Sequence, residues 1–203
     1  MTAATPSKDA ERRDFTINSL FWDDVQNIII DYKAGVFDLM SRKLVCVGNA
    51  EIRFSEDYLR IMRLVRFSAQ LEFEIESKTN DAAYKYRSKI NQISGERIWT
   101  ELLKIDKSAA WNFAFKQELF LALLEEIFEI RDIYKKNNFS VKAPIFLIIY
   151  WLKPDFDFSE ILKRRLKISN RELKTYHAIQ FIMRNLNKLS EEQWAYELEK
   201  SPH

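Results

Sequence analysis

The chain has 203 residues, 47% of them hydrophobic and 14% aromatic, enough to bury a substantial core. Only three glycines and four prolines argue against a sheet-rich domain, which needs frequent turn residues, and for a mainly helical one. With 32 basic against 30 acidic side chains the net charge is +2, so bulk charge does not mark a nucleic-acid binder and any such role must rest on local clusters.

Cys46, the one cysteine, excludes an intrachain disulfide; between Val45 and Val47 it reads as a small core residue, and the chain as a protein of the reducing cytoplasm. The histidines, His177 and His203, support neither a zinc site nor a His-Asp metal hydrolase. No apolar run reaches the roughly 18 residues of a membrane span, and Met1 to Lys8 has no signal-peptide core.

In chain order, the first charged cluster is Arg12-Arg13-Asp14-Phe15-Thr16-Ile17-Asn18. Phe15 to Phe21 leads into two short β-branched strands, Ile28 to Tyr32 and Lys43 to Val47, separated by a turn at Gly35. Asp23 and Asp24 are adjacent, so on a strand they point to opposite faces and make no paired-carboxylate site. The pattern is helical from Ser55 to about Leu71, from Thr79 to Lys89 and from Ser94 to Leu103; Arg97 three residues after Ser94 denies that start a capping box. In the first of these helices Glu56, Arg60 and Arg63 stack at i, i+4 and i+7, with Asp57 beside Arg60. A carboxylate accepts from an exocyclic amine and a guanidinium donates in a fixed fork, so Asp57 and Arg60 could read a base edge; the plain alternative is a set of surface ion pairs. Their company is apolar (Leu59, Ile61, Met62, Leu64, Val65), and charges in such a setting are paired or working. Arg60, Arg63 and Arg66 trace a drifting cationic stripe that could face phosphates.

The rest reads as a helical bundle: Ser108 to Arg131, Ala143 to Leu152, Phe158 to Leu166, Asn170 to Asn187 and Ser190 to Lys200, with breaks at Asn137-Asn138 and Pro154. Its aromatic residues, Trp111, Phe115, Phe120 and Phe128 among them, suit core packing better than base stacking. Lys163-Arg164-Arg165 with Lys167 forms a second basic cluster, either a contact for tRNA phosphates or a solvated face. Asp155-Phe156-Asp157 has the spacing of a carboxylate pair but reads as a loop and helix start.

Four blocks in order, Arg12 to Asn18, Gly35 to Leu39, Arg53 to Arg63 and Ser94 to Ile98, resemble class II tRNA nucleotidyltransferases (CCA-adding enzymes) and bacterial poly(A) polymerases; the resemblance covers residues 9–105, about half the chain. It implies a mainly α fold, a helical neck and body/tail bundle preceded by a small β remnant of a nucleotidyltransferase head, divided as 1–50 (head remnant), 51–106 (neck) and 107–203 (body/tail). The implied activity adds CMP and AMP from CTP and ATP to tRNA 3′ ends with Mg2+. Arg13, Asp14 and Asn18, supported by Arg12, inherit the sugar and phosphates of the nucleotide. Asp57 and Arg60 would select the base, with Glu56 bracing Arg60, Arg63 near the nucleotide and Arg66 supporting. Gly35 and Asp38 belong to a springy link between head and neck, and Glu96 and Arg97 would stabilise a neck turn.

The sequence departs from the family at Tyr58, usually proline, where Ser55 is expected to cap the helix instead, and at Leu64, usually small. The family's Gly-Ser strand and metal-holding Asp-x-Asp pair have no counterpart before Arg12, so the chain is expected to hold no catalytic residue or metal ligand of its own and to be either cut from a longer chain or at work beside a separately encoded head. The expected partners are a tRNA or other RNA 3′ end and nucleoside triphosphates, with no membrane. A non-catalytic nucleotide- or RNA-binding module, a poly(A) polymerase fragment and a plain helical scaffold are the alternatives.

Overall fold

The computed structural model describes residues 5–105, 108–130, 145–153 and 156–185. The expected mainly α architecture with a small β part is what these residues form. Helix α1 (Pro6–Arg12) is capped by the Thr5 hydroxyl and starts on proline, which suits the first helical position. A 3-10 turn, Thr16–Asn18, follows, and strands β1 (Leu20–Asp23) and β2 (Ile28–Asp31) pair as an antiparallel hairpin with Leu20 opposite Asp31. Leu20–Asp23 is therefore a full strand rather than a lead-in. Asp23 Oδ1 accepts from the Val25 and Gln26 amides, both at 3.0 Å, and closes the hairpin turn.

Helix α2 (Gly35–Met40) replaces the expected turn. The Asp31 carboxylate builds its start, accepting from the amides of Lys33, Gly35 and Val36 at 2.9–3.0 Å. Burial works to raise the pKa of Asp31, but those backbone donors outweigh it and hold the carboxyl below its usual range. A Cβ on Gly35 would lie 2.2 Å from the Thr16 carbonyl oxygen, so glycine lets α2 rest directly on the 3-10 turn.

The expected strand 43–47 shortens to β3 (Lys43–Leu44), which pairs in parallel with β4 (Glu74–Ile75), a strand that the pattern did not predict. Beyond it Cys46 forms an isolated bridge with Phe15 and is buried, its thiol pushed up to about 11 by burial.

The single helix expected from Ser55 to Leu71 is two. Helix α3 (Ala50–Glu56) ends at Asp57, whose backbone is extended (φ −153°, ψ 105°), and α4 (Leu59–Leu71) begins after it. Asp57 Oδ1 accepts from the Leu59 amide at 3.1 Å and serves the α4 start; Ser55, the expected cap, instead donates to the Ile52 carbonyl. Helix α4 is the hub of the fold: Ile61, Met62, Leu64, Val65 and Ala69 are buried, and α4 packs against α3, both short strands, α6 (Gly95–Leu103) and α7 (Ser108–Ala114). Leu64 is fully enclosed. Helix α5 (Ser77–Tyr86) lies on α3 and continues into a 3-10 segment, Arg87–Gln92.

The expected helix 108–131 is also interrupted, into α7 and α8 (Glu118–Phe128). Gln117 takes an extended backbone, and its Nε2 donates to Ser68 Oγ on α4 at 2.8 Å, a tertiary bond that local periodicity does not reveal. Helices α9 (Ile145–Leu152), α10 (Ser159–Arg164) and α11 (Asn170–Asn185) complete the bundle. Trp111, Phe115 and Phe120 contact one another at centroid distances of 5.6–6.2 Å, and Phe128 meets Phe158 at 5.4 Å, so these aromatics are core. Asp157 Oδ1 accepts from the Ser159 amide at 3.0 Å and marks a helix start. Asn137, Asn138, Pro154, Asp155 and the helix expected at 190–200 lie outside the described residues.

The second basic cluster is partly structural. Arg164 pairs with Glu129 at 2.9 Å, and Arg165 donates to the carbonyls of Ile93 and Ile90 at 3.1 and 3.0 Å, tying the chain near residue 165 to the segment just before α6. Lys163 and Lys167 of that cluster are exposed, as on a solvated face.

Candidate nucleotide site

The first cluster lies where α1 gives way to extended chain. Asp14 is buried, and its backbone is pinned by the Val47 amide, which donates to the Asp14 carbonyl at 3.0 Å. Both carboxylate oxygens of Asp14 are occupied from α4: Arg60 Nε at 3.0 Å on Oδ1 and Arg63 Nη2 at 2.8 Å on Oδ2. Two clusters 46 residues apart in sequence thus close on one carboxylate. Arg60 also donates through Nη1 to Glu56 at 2.8 Å and to the Arg53 carbonyl at 2.6 Å. Burial lowers the proton affinity of Arg60, but the Glu56 and Asp14 carboxylates more than reverse this, so its charge is secured. The hydrogen bond from Arg60, with the neighbouring Arg53, in turn holds the Glu56 carboxyl below its usual range.

Arg13 and Arg12 are exposed and both turn to Asp9, one helical turn back: Arg13 through Nε and Nη2 at 3.0 and 2.7 Å, Arg12 through Nη2 at 2.8 Å. Asn18 accepts from the Phe15 amide at 3.1 Å, which fixes the turn. Asp9, Arg12, Arg13, Asp14, Asn18 and Arg63 line a cleft of about 450 Å³. Cations on its rim and a satisfied carboxylate at its floor suit a phosphorylated ligand.

Three expectations are corrected by this geometry. Asp57 and Arg60 do not pair: the extended backbone at Asp57 turns its carboxylate away to Arg97 Nη2 at 3.0 Å, whereas Arg60 turns to Asp14 and Glu56. The cationic stripe ends at Arg63, because Arg66 is buried against Glu101 at 2.6 Å and Gln70 at 2.7 Å and cannot reach a phosphate in the cleft. The link at Gly35 and Asp38 is a helix tied to the first cluster, since Thr16 Oγ1 donates to Asp38 Oδ2 at 2.6 Å. Arg97 reaches across to the α3–α4 break, and Glu96 is exposed in the first turn of α6, where negative charge favours the helix dipole. Asp9 and Arg53 went unassigned, although Asp9 at i−3 and i−4 from two arginines was a readable signal.

The Poly A polymerase head domain family matches residues 1–45, and the family described as the probable RNA and SrmB-binding site of polymerase A matches residues 72–131. The mitochondrial CCA tRNA nucleotidyltransferase 1 of Danio rerio is 35% identical over 176 residues, 81% of this chain and 40% of that protein. The CCA-adding enzyme of Lactococcus lactis subsp. lactis (strain IL1403) is 47% identical over 105 residues, 52% of this chain and 26% of that protein. The chain belongs to the class II CCA-adding enzyme and poly(A) polymerase family. Among solved structures of this nucleotidyltransferase family, the Bacillus stearothermophilus CCA-adding enzyme in complex with CTP superposes with a TM-score of 0.73 at 25% identity, over 97% of this chain and 53% of that one. The Thermotoga maritima CCA-adding enzyme complexed with tRNA shares the fold, with a TM-score of 0.69 at 20% identity over 99% of this chain and 55% of that one. The likeness therefore runs well past Ile105, where the recognisable motifs stop, and the chain spans less than half the length of these curated relatives.

Proposed function

We propose that the chain is the neck and body of a template-independent RNA nucleotidyltransferase that adds CMP or AMP to tRNA 3′ ends, divided as 1–50 (head remnant), 51–106 (neck) and 107–203 (body/tail). The observation that carries this reading is the closure of Arg60 and Arg63 from α4 onto Asp14 at the edge of a cationic cleft. In it, Arg12, Arg13 and Arg63 meet the phosphates, Asn18 and Asp14 shape the sugar side, and Arg60 with Asp57 reads the base, Asp57 exchanging Arg97 for the nucleotide. Nucleotide and RNA substrates are consistent with the CTP and tRNA complexes of the neighbours.

Magnesium chemistry needs carboxylates grouped on one rigid element. Among the described residues no group of three or more His, Cys, Asp or Glu side chains is placed to hold a metal ion. The carboxylates are assigned to a head domain acting with this chain. Among the described residues, no helix is long and apolar enough to cross a membrane.

Two measurements test the reading. Mixed with a head domain of the family, the chain should incorporate labelled CMP or AMP into a tRNA trimmed of its 3′ end; no incorporation, with saturable ATP or CTP binding retained, would leave a nucleotide-binding module instead. Arg60→Ala should weaken ATP and CTP binding by about 10- to 100-fold, the range for losing hydrogen bonds to a charged group. Equal binding by this variant and the parent chain in a calorimetric titration would place the base site elsewhere.

A further inference from the structure

Arg53 has no part in the cleft lining, yet its side chain is only 14% exposed and binds in three directions at once. Its Nη2 donates to the carbonyls of Arg12 and Arg13 at 2.8 and 3.1 Å, across 41 and 40 residues of sequence. Its Nη1 donates to Glu56 Oε2 at 2.5 Å, the same oxygen that receives Arg60 Nη1. Its own carbonyl accepts a second bond from Arg60 Nη1. Since Arg60 Nε holds Asp14, the residue after Arg13, the contacts close into a ring: Arg13-Asp14, Arg60, Glu56, Arg53 and back to Arg13.

The ring has a physical logic. Arg12 is the last residue of α1 and Arg13 its cap, so both carbonyls stand at a helix C-terminus where intrahelical donors run out and a cation is favoured. Holding two carbonyls and a carboxylate together takes a planar fork; an ammonium, a single point on a flexible stem, does not span them. The side chains of Arg12 and Arg13 are separately paired with Asp9 of α1. What Arg53 sets is thus where α1, with its phosphate-facing cations, stands relative to Arg60.

We propose that Arg53 is a positioning residue that holds the phosphate side of the cleft in register with the base-reading side. This rests on the nucleotide-site reading above and adds to it a residue that touches no nucleotide. The test titrates ATP, CTP, GTP and inorganic tripolyphosphate into the unmodified chain, Arg53→Gln and Arg53→Lys, with amide hydrogen exchange measured on all three without ligand. Both variants should lose about tenfold in affinity for ATP and CTP, as for one lost charged hydrogen bond, while tripolyphosphate, which has no base, binds as before and the ATP-to-GTP ratio falls. The Arg13 amide, bonded to Ala10, and the Val47 amide, bonded to Asp14, should exchange faster in both.

A uniform loss for all four ligands, or full recovery in Arg53→Lys, would overturn the proposal in favour of a general effect of fold or charge. Unchanged exchange at Arg13 and Val47 would overturn it as well. Failure of the unmodified chain to bind any nucleotide would sink the nucleotide-site reading, and the exchange rates would still decide whether Arg53 braces α1.

Discussion

Gly95→Ala should force the start of α6 away from the chain at Arg165 and Leu166 and cost at least about 3 kcal/mol, at or beyond the top of the usual range for overpacking. The added Cβ would fall 1.8 Å from the Arg165 carbonyl oxygen and 2.7 Å from the Leu166 Cα, atoms of the backbone that cannot rotate aside. Arg165 is bound in the opposite sense at the same joint, its guanidinium donating to Ile90 and Ile93 just before α6. The variant must therefore strain the backbone or lift α10 away and lose those bonds. A thermal melt should fall by roughly 6–12 °C for a chain of this size. Gly48→Ala is the control. Gly48 has φ +73° but nothing within 4 Å of an added Cβ, so only left-handed strain of about 1–2 kcal/mol is expected there. Equal melting of the two variants would show that the close approach at Gly95 contributes nothing.

The same joint shows what the sequence could and could not disclose. Helices were legible wherever apolar spacing was long and regular, as in α4 and α11, and the low glycine and proline content pointed to the right class. The breaks were not, because tertiary partners set them. Asp57 leaves the helical region and is bonded to Arg97, 40 residues on, and Gln117 leaves it to reach Ser68, 49 residues back. Strand β4 is two residues long and gains its identity only from Lys43 and Leu44 beside it. In the candidate site, the ordered motifs identified both charged clusters and their family. Which arginine meets which carboxylate was beyond a helical-wheel argument: spacing put Asp57 beside Arg60, whereas the fold delivers Asp14 to Arg60 and Arg63 from across the chain. Arg66 was misread for the same reason, since its i−3 relation to Arg63 says nothing of Glu101 approaching from α6.

That buried pair carries the second large effect. Arg66 and Glu101 have side chains 10% and 6% exposed, with Nε and Oε2 2.6 Å apart and Lys104 Nζ closing on Oε1 at 2.8 Å. Arg66 also lies over the Phe67 ring, 4.0 Å from its centroid, so the guanidinium is packed as well as paired. Removing one partner of a buried pair strands the other, at about 3–5 kcal/mol. Arg66→Leu belongs at the lower end of that range because Lys104 remains. Changing both, Arg66→Leu with Glu101→Leu, should recover much of the loss, since neither charge is then left without its counterpart. The pH dependence follows from the sign of the carboxyl shift. Burial tends to raise the Glu101 pKa, but the bonds from Lys104 and Arg66 outweigh it and leave it lowered. The stabilisation is therefore fully present above the ordinary glutamate range and is lost as pH falls through the depressed native value. In Arg66→Leu the carboxyl keeps only one cation against its burial, so its native pKa rises and the acid loss of stability from this group shrinks. Urea unfolding of the parent and both variants between about pH 3 and 7 reads all of this. A double variant no more stable than Arg66→Leu would show that the loss comes from packing around Phe67 rather than from a stranded carboxylate.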